Sequence, residues 1–199
     1  MLLYADRDSI NSLRIKMIIA EKSAPADIIE ISPQNIPQEF LEVSPQGIFP
    51  ALVDRDLILT EPSIIAEYLD ERFPHPPLLP VYPVDRAKTR LMRLKIEQEW
   101  FTLANTINTS TNTSQVKQSK KALLDSLLSF SPVFASLPYF LSEDFSLLDC
   151  CVAPLLWHLP KIGIVIPSSH EAIFNAYMKR IFERPCFKAS LNYEEYEPI

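Results

Sequence analysis

Cysteine and histidine side chains are where nucleophilic, redox or metal chemistry would be carried, and this chain holds three of each. Cys150 and Cys151 are adjacent and Cys186 stands apart, a spacing that suits neither a disulfide framework nor a metal-ligand set. Burial as small apolar residues is the expectation for all three. His158 follows Trp157 on an apolar stretch and reads as a core histidine, and His170 lies near a helix start. Neither has a catalytic neighbour, and no catalytic residue, metal ligand or cofactor is assigned. His75 has a different setting, in YLDERFPHPPLLPVYPVDR (68–86), with prolines at 74, 76, 77, 80 and 83. Proline fixes φ and lacks an N–H, so the stretch from Pro74 to Pro83 can be neither an α-helix nor a central strand. It is a stiff, extended connector that presents Phe73, His75 and Tyr82 in nearly fixed positions at little conformational cost on binding. The chemistry indicated is recognition rather than catalysis.

The elements on either side of this connector differ in texture. Before it, MLLYA (1–5) reads as a strand, followed by an amphipathic helix over 11–22 with Leu13, Met17 and Ala20 on one stripe and Arg14, Lys16, Glu21 and Lys22 elsewhere. DIIEIS (27–32) is a second strand, and a loop with Pro33 and Pro37 leads past Phe40 and Leu41 to the turn SPQG at 44–47. PALVD (50–54) and LILT (57–60) form a hairpin about Arg55-Asp56, and Ile64, Ile65, Tyr68 and Leu69 recur at helical spacing. The order β-α-β, then β-β-α, describes a small mixed sheet with helices on its faces. After the connector the pattern is helical. Leu91, Leu94, Trp100, Leu103 and Ile107 make a stripe over 86–108, and Leu123, Leu124, Leu127 and Leu128 mark a second helix. Residues 146–158 and 170–183 supply two more, with Leu147, Cys151, Leu155 and then Ile173, Tyr177, Ile181 facing inward. The division expected is a sheet domain over 1–73, a proline-rich linker over 74–85 and an all-helical domain over 86–199.

Composition sets the class. With 199 residues, 47% apolar and 22% charged, the chain is an ordinary globular protein able to bury a sizeable core. No apolar run reaches the roughly 20 residues a membrane span needs, and MLLYADRD lacks a basic stretch before an apolar one. A cytoplasmic location with no membrane partner is expected. The net charge of −6 disfavours a protein whose affinity comes from neutralising phosphates. Arg86, Lys88, Arg90, Arg93 and Lys95 form a basic strip, and Glu97 and Glu99 follow four residues beyond Arg93 and Lys95. This is an ion-paired, solvated helix face, with steering of an acidic protein surface or of DNA as the other reading.

Two further motifs carry an assignment. Phe49-Pro50 opens a strand just after Gly47, where a cis X-Pro bond would aim backbone groups outward. With the strand and helix order, this resembles the thioredoxin-like fold, without its Cys-x-x-Cys, so dithiol chemistry is not expected. In Phe145-Ser146-Leu147-Leu148-Asp149, Ser146 can cap a helix and Asp149 can reach back to it, contributing about 1 kcal/mol. Ser-x-x-Asp in an all-helical second domain resembles the helix nucleus of the glutathione S-transferase fold. Within that superfamily the chain resembles the stringent starvation protein A family of RNA polymerase-associated proteins. The residues that carry the resemblance are Ala20-Glu21-Lys22, Pro50 with Leu52-Val53-Asp54, and above all the proline segment; Glu97 with Trp100, Pro132-Val133-Phe134, Pro138-Tyr139-Phe140-Leu141-Ser142, Asp149-Cys150 and Ala153-Pro154-Leu155-Leu156-Trp157 also fit.

The resemblance implies an N-terminal thioredoxin-like βαββα-type domain followed by an all-α domain (fold class α+β/α), and a stress-response transcription regulator without transferase activity. It implies that Phe73, Pro74, His75, Pro76 and Tyr82 form a pocket for RNA polymerase holoenzyme and its sigma factor, with promoter DNA met only inside that complex. It implies a homodimer. Transferases activate the glutathione thiol with a Ser, Tyr or Cys near the first helix, which here leaves Tyr4, Ser9 and Ser12, each with a packing or N-cap alternative. They hold the γ-glutamyl carboxylate with a Glu-Ser pair, whereas this chain reads Glu61-Pro62-Ser63. Pro62 supplies neither the hydroxyl nor the N–H, and Ser63 is displaced by one residue. Ser12, Phe49, Pro50, Glu61, Pro62 and Ser63 are therefore expected to be vestigial positions, and a glutathione-dependent transferase is the alternative function.

Overall fold

The computed structural model describes residues 1–191. They form two compact units, Met1–Pro77 with residues 184–191, and Leu78–Glu183.

In the first unit, β1 (Leu2–Ala5), α1 (Ile10–Glu21), β2 (Asp27–Glu30), α2 (Gln38–Val43), β3 (Ala51–Asp54), β4 (Leu57–Leu59) and α3 (Pro62–Arg72) follow in order. The sheet order is β2-β1-β3-β4, with β1 parallel to β2 and antiparallel to β3. β3 and β4 pair antiparallel through the tight turn at Arg55 (φ +58°). This is the thioredoxin-like architecture expected. The peptide between Phe49 and Pro50 is cis, as is that between His75 and Pro76. The short α2 lies where the sequence reads as loop: Phe40 anchors it in a cluster with Ile31 and Ala51, against Tyr4, Ile36, Val43 and Phe49.

The helix α1 departs from its expected polar face. Arg14, Lys16 and Lys22 are all at least 95% buried, along with Leu13, Ile15, Met17, Ile18 and Ile19. The reason is packing on more than one side: α1 lies against α3 and also against α10 (Pro185–Ser190). Its charges meet partners instead of water, Lys16 with Glu30 at 2.9 Å and Lys22 with Asp70 at 2.5 Å. The last described helix thus belongs with the sheet unit. Cys186 and Phe187 are buried there, and Arg184 pairs with Glu21 at 2.7 Å.

The second unit is helical. A continuous run starts at Pro83, inside the stretch read as linker, with α4 (Pro83–Lys95), a π-helical turn (Ile96–Phe101) and α5 (Thr102–Thr109). Then come α6 (Thr113–Ser129), α7 (Ser131–Ser136), α8 (Leu147–His158) and α9 (Ser168–Phe182). The buried stripe of the first run is Ile96, Trp100, Ala104 and Ile107, while Leu91 and Leu94 are 67% and 46% exposed. The spacing explains the difference: at about 100° per residue Leu91 lies about 180° round the helix from Trp100 and Leu94 about 200° from Ile96, so the two leucines face away from the buried stripe. Among α8's residues only Trp157 is not buried, so α8 is the core helix of this unit. Trp100, Phe130, Phe134, Phe140, Phe174 and Tyr177 pack in one aromatic cluster with neighbouring centroids 4.7–6.0 Å apart.

Candidate functional site

The proline segment is held without a backbone ladder, since prolines donate nothing. In the first unit, α3 ends at Phe73, whose N–H donates to the Leu69 carbonyl. Beyond it Pro74, His75, Pro76 and Pro77 are all exposed, and Phe73 is half-buried beneath the Arg72 guanidinium, 5.4 Å from its ring centre. The ammonium of Lys22 donates to the Pro76 carbonyl as well as to Asp70. In the second unit, Leu78 and Leu79 are buried, the Leu78 carbonyl accepts from the Leu147 N–H at 2.9 Å, and Arg86 donates to the Pro80 carbonyl at 3.0 Å. Tyr82 precedes α4 there and is 75% exposed.

The positions expected to be vestigial lie in the first unit, and their hydroxyls are engaged. Ser12 is fully buried and accepts from the Asp6 N–H at 2.9 Å. Ser9 caps α1 by accepting from the Ser12 N–H, and Tyr4 packs on Phe40 with ring centres 5.3 Å apart. Phe49 stacks on the other side of that cluster, 4.4 Å from Phe40, and Pro50 is buried. Glu61 caps α3, accepting from both the N–H and the hydroxyl of Ser63; Pro62 fills the first turn, buried. At the carboxyl ends of β1 and β2, a polar hollow is lined by Asp6, Arg7, Asp8, Glu30, Ser32 and Gln34. Its carboxylates outnumber its one guanidinium, and Arg7 and Lys16 both pair with Glu30.

Among the described residues, no group of three or more His, Cys, Asp or Glu could hold a metal ion, and no helix is long and apolar enough to cross a membrane. Cys186 is buried, and burial followed by the neighbouring Glu21 pushes its thiol up to about 12, far from a reactive thiolate. In the second unit, Asp149 is fully buried and accepts from the Phe140 N–H, the Ser146 N–H and hydroxyl, and the Tyr177 hydroxyl. Burial raises its pKa against the pull of those donors, and raises that of Tyr177 further. The network is a capping box extended to a second helix, a structural device. His158 is buried with Nδ1 2.8 Å from the Pro154 carbonyl, and His170 sits in the first turn of α9 beside Ser169.

Comparison with known proteins follows the same division. The glutathione S-transferase N-terminal domain model matches residues 3–77 and the C-terminal domain model residues 91–185. The chain is 45% identical over 193 residues to the stringent starvation protein A homolog of Haemophilus influenzae, covering 96% of this chain and 90% of that one. With the homolog of Coxiella burnetii, identity is 42% over 197 residues, covering 99% and 94%. The chain belongs to the stringent starvation protein A family, within the glutathione S-transferase superfamily. Among solved structures it is similar to the bacterial glutathione transferase BphK in its ternary complex, with TM-score 0.87, 21% identity and coverage of 96% and 98%. It is also similar to Gtt2 of Saccharomyces cerevisiae, with TM-score 0.83, 22% identity and coverage of 96% and 100%. At those identities the likeness is one of fold.

Sequence reasoning missed the Lys22–Asp70 contact. The partners are 48 residues apart, and Lys22 read as part of a solvated face; no local pattern signals such a pairing.

Proposed function

We propose that this member of the stringent starvation protein A family is a non-enzymatic stress-response regulator that binds RNA polymerase holoenzyme through Phe73, Pro74, His75, Pro76 and Tyr82. The observation that carries the reading is the exposure of an anchored proline segment in a chain of this family. Pro74, His75 and Pro76 face solvent while the Pro76 carbonyl is tied to a buried ammonium. Such a surface offers a ring, an imidazole and prolines with little freedom to lose, which is what a protein-binding anchor requires.

The loss of glutathione chemistry is part of the same reading. Ser9 and Ser12 hold local backbone N–H groups as acceptors, Ser12 being fully buried, while Ser63 donates its hydroxyl to Glu61, and Pro62 has no N–H to offer a carboxylate. The hollow at the strand ends carries Asp6, Asp8 and Glu30 against Arg7, a poor host for an anionic tripeptide. As in the fold's other members, the chain is taken to act as a homodimer, which would cover the exposed Leu91 and Leu94 of α4.

The test pairs two titrations of the purified protein. His75→Ala is expected to weaken capture of RNA polymerase holoenzyme while leaving stability within about 1 kcal/mol, as at an exposed contact. Calorimetry with glutathione is expected to give no saturable heat. Saturable binding that is lost in Ser12→Ala would overturn the reading in favour of a glutathione-dependent transferase.

A further inference from the structure

The stretch Pro74-His75-Pro76-Pro77 has a single backbone N–H, that of His75. With one donor in four residues, its carbonyls are the groups by which the rest of the chain can hold it. Lys22 provides the donor. It ends α1, its side chain is 0% exposed, and its ammonium lies between the Asp70 carboxylate near the end of α3 and the Pro76 carbonyl. All three groups belong to the same unit of the chain.

A buried ammonium must find oxygen partners, because water is not there to supply them. Asp70, only 6% exposed, neutralises the charge, and the Pro76 carbonyl completes the contact. The pair therefore does more than join two helices. It ties the inner edge of the segment to both while the rings of Pro74, His75 and Pro76 stay outside. We infer that Lys22, backed by Asp70, is the positioning residue of the proline surface: through the Pro76 carbonyl it fixes where Phe73, His75 and Pro76 stand, and so sets affinity for the partner without touching it. This rests on the partner-binding reading of the segment.

The experiment separates positioning from stability. Lys22→Met strips the donor and takes the ammonium away from the buried Asp70 carboxylate, so it loses stability and position together. The double variant Lys22→Met with Asp70→Leu removes both charges, a change of the kind that is often neutral or stabilising, yet still lacks the donor to Pro76. Lys16→Met breaks another ion pair of α1, that of the buried Lys16 with the partly exposed Glu30, and serves as the control. Two readouts are taken: the ring signals of His75, in a spectrum that holds only three histidines, and the Kd for RNA polymerase holoenzyme. In both Lys22 variants the His75 signals are expected to broaden or move toward random-coil positions while those of His158 stay. The Kd should rise about tenfold in both, as for a surface that keeps its competent form about a tenth of the time. Lys16→Met should leave both readouts at wild type. Recovery of wild-type His75 signals or wild-type affinity in the double variant, along with its stability, would overturn the inference. Should wild type itself not capture the holoenzyme, the binding reading fails, and the His75 signals alone then decide whether Lys22 positions the segment.

Discussion

Replacing Asp149 by alanine takes the acceptor away from four buried donors, three of them held at 2.9 Å or less: the N–H groups of Phe140 and Ser146, both 2.9 Å away, and the Tyr177 hydroxyl at 2.7 Å, with the Ser146 hydroxyl at 3.1 Å the fourth. Each orphaned donor costs about 1–3 kcal/mol, or about 3–9 kcal/mol for the three. Removing a carboxylate that is itself costly to bury offsets part of this, so the expected loss is about 4 kcal/mol. Asp149→Asn keeps one oxygen and sets an amide N–H against the Ser146 N–H, for a loss of about 2 kcal/mol, and Tyr177→Phe forfeits one bond for about 1 kcal/mol. Urea unfolding followed by tryptophan fluorescence measures this selectively, because Trp100 and Trp157 both lie in the helical unit. The midpoints should fall in that order with an unchanged slope. Asp149→Ala within 1 kcal/mol of wild type, or Tyr177→Phe as costly as Asp149→Ala, would refute the account of the network as the unit's anchor. The pH dependence has a definite sign. Burial raises the folded pKa of Asp149 above its ordinary 3.8, so between those two values the folded chain holds a proton that the unfolded chain has released. That contribution is present below the unfolded value and lost as pH rises through the folded one. The stability gap between wild type and Asp149→Asn should therefore widen on acidification through that window.

All three cysteines are buried and unbridged, so native protein at pH 8 should resist a thiol reagent and titrate three thiols only after unfolding; fast modification of Cys186 would contradict its raised pKa. Gly163 has φ +69°, and a Cβ there would meet only the flexible end of Lys120, at 2.8 Å. Gly163→Ala should thus cost about 1 kcal/mol of backbone strain, and adding Lys120→Ala should not relieve it in the same urea assay. Leu91→Asp with Leu94→Asp, both exposed on the single chain, should abolish the proposed homodimer: sedimentation is expected to show a monomer for the variant and a dimer for wild type, and at protein concentrations too low for association the two should melt within about 0.5 kcal/mol of each other.

Local chemistry made much of the fold legible. The strands, the hairpin at Arg55-Asp56 and the helix opened by Ser146 and Asp149 follow from alternation, turn residues and capping, and all appear within a few residues of the positions read. What escaped was tertiary. The charges of α1 read as solvated because a one-dimensional pattern cannot show that α3 and α10 both pack against it. The stripe through Leu91 and Leu94 failed because at helical spacing those leucines lie far round the helix from Ile96 and Trp100, the residues that are buried. At the site, the prolines announced a rigid exposed segment, whereas Lys22, some 50 residues earlier, gave no sign that it holds the Pro76 carbonyl.

The proline segment is proposed as a binding surface for RNA polymerase holoenzyme. The most direct measurement is the affinity of purified holoenzyme for wild-type protein and for a folded variant with Pro74, His75 and Pro76 all changed to alanine. Saturable binding by wild type, with loss in the triple variant at unchanged melting temperature, is the result predicted. Equal affinity for both proteins would contradict it and place the contact elsewhere on the chain.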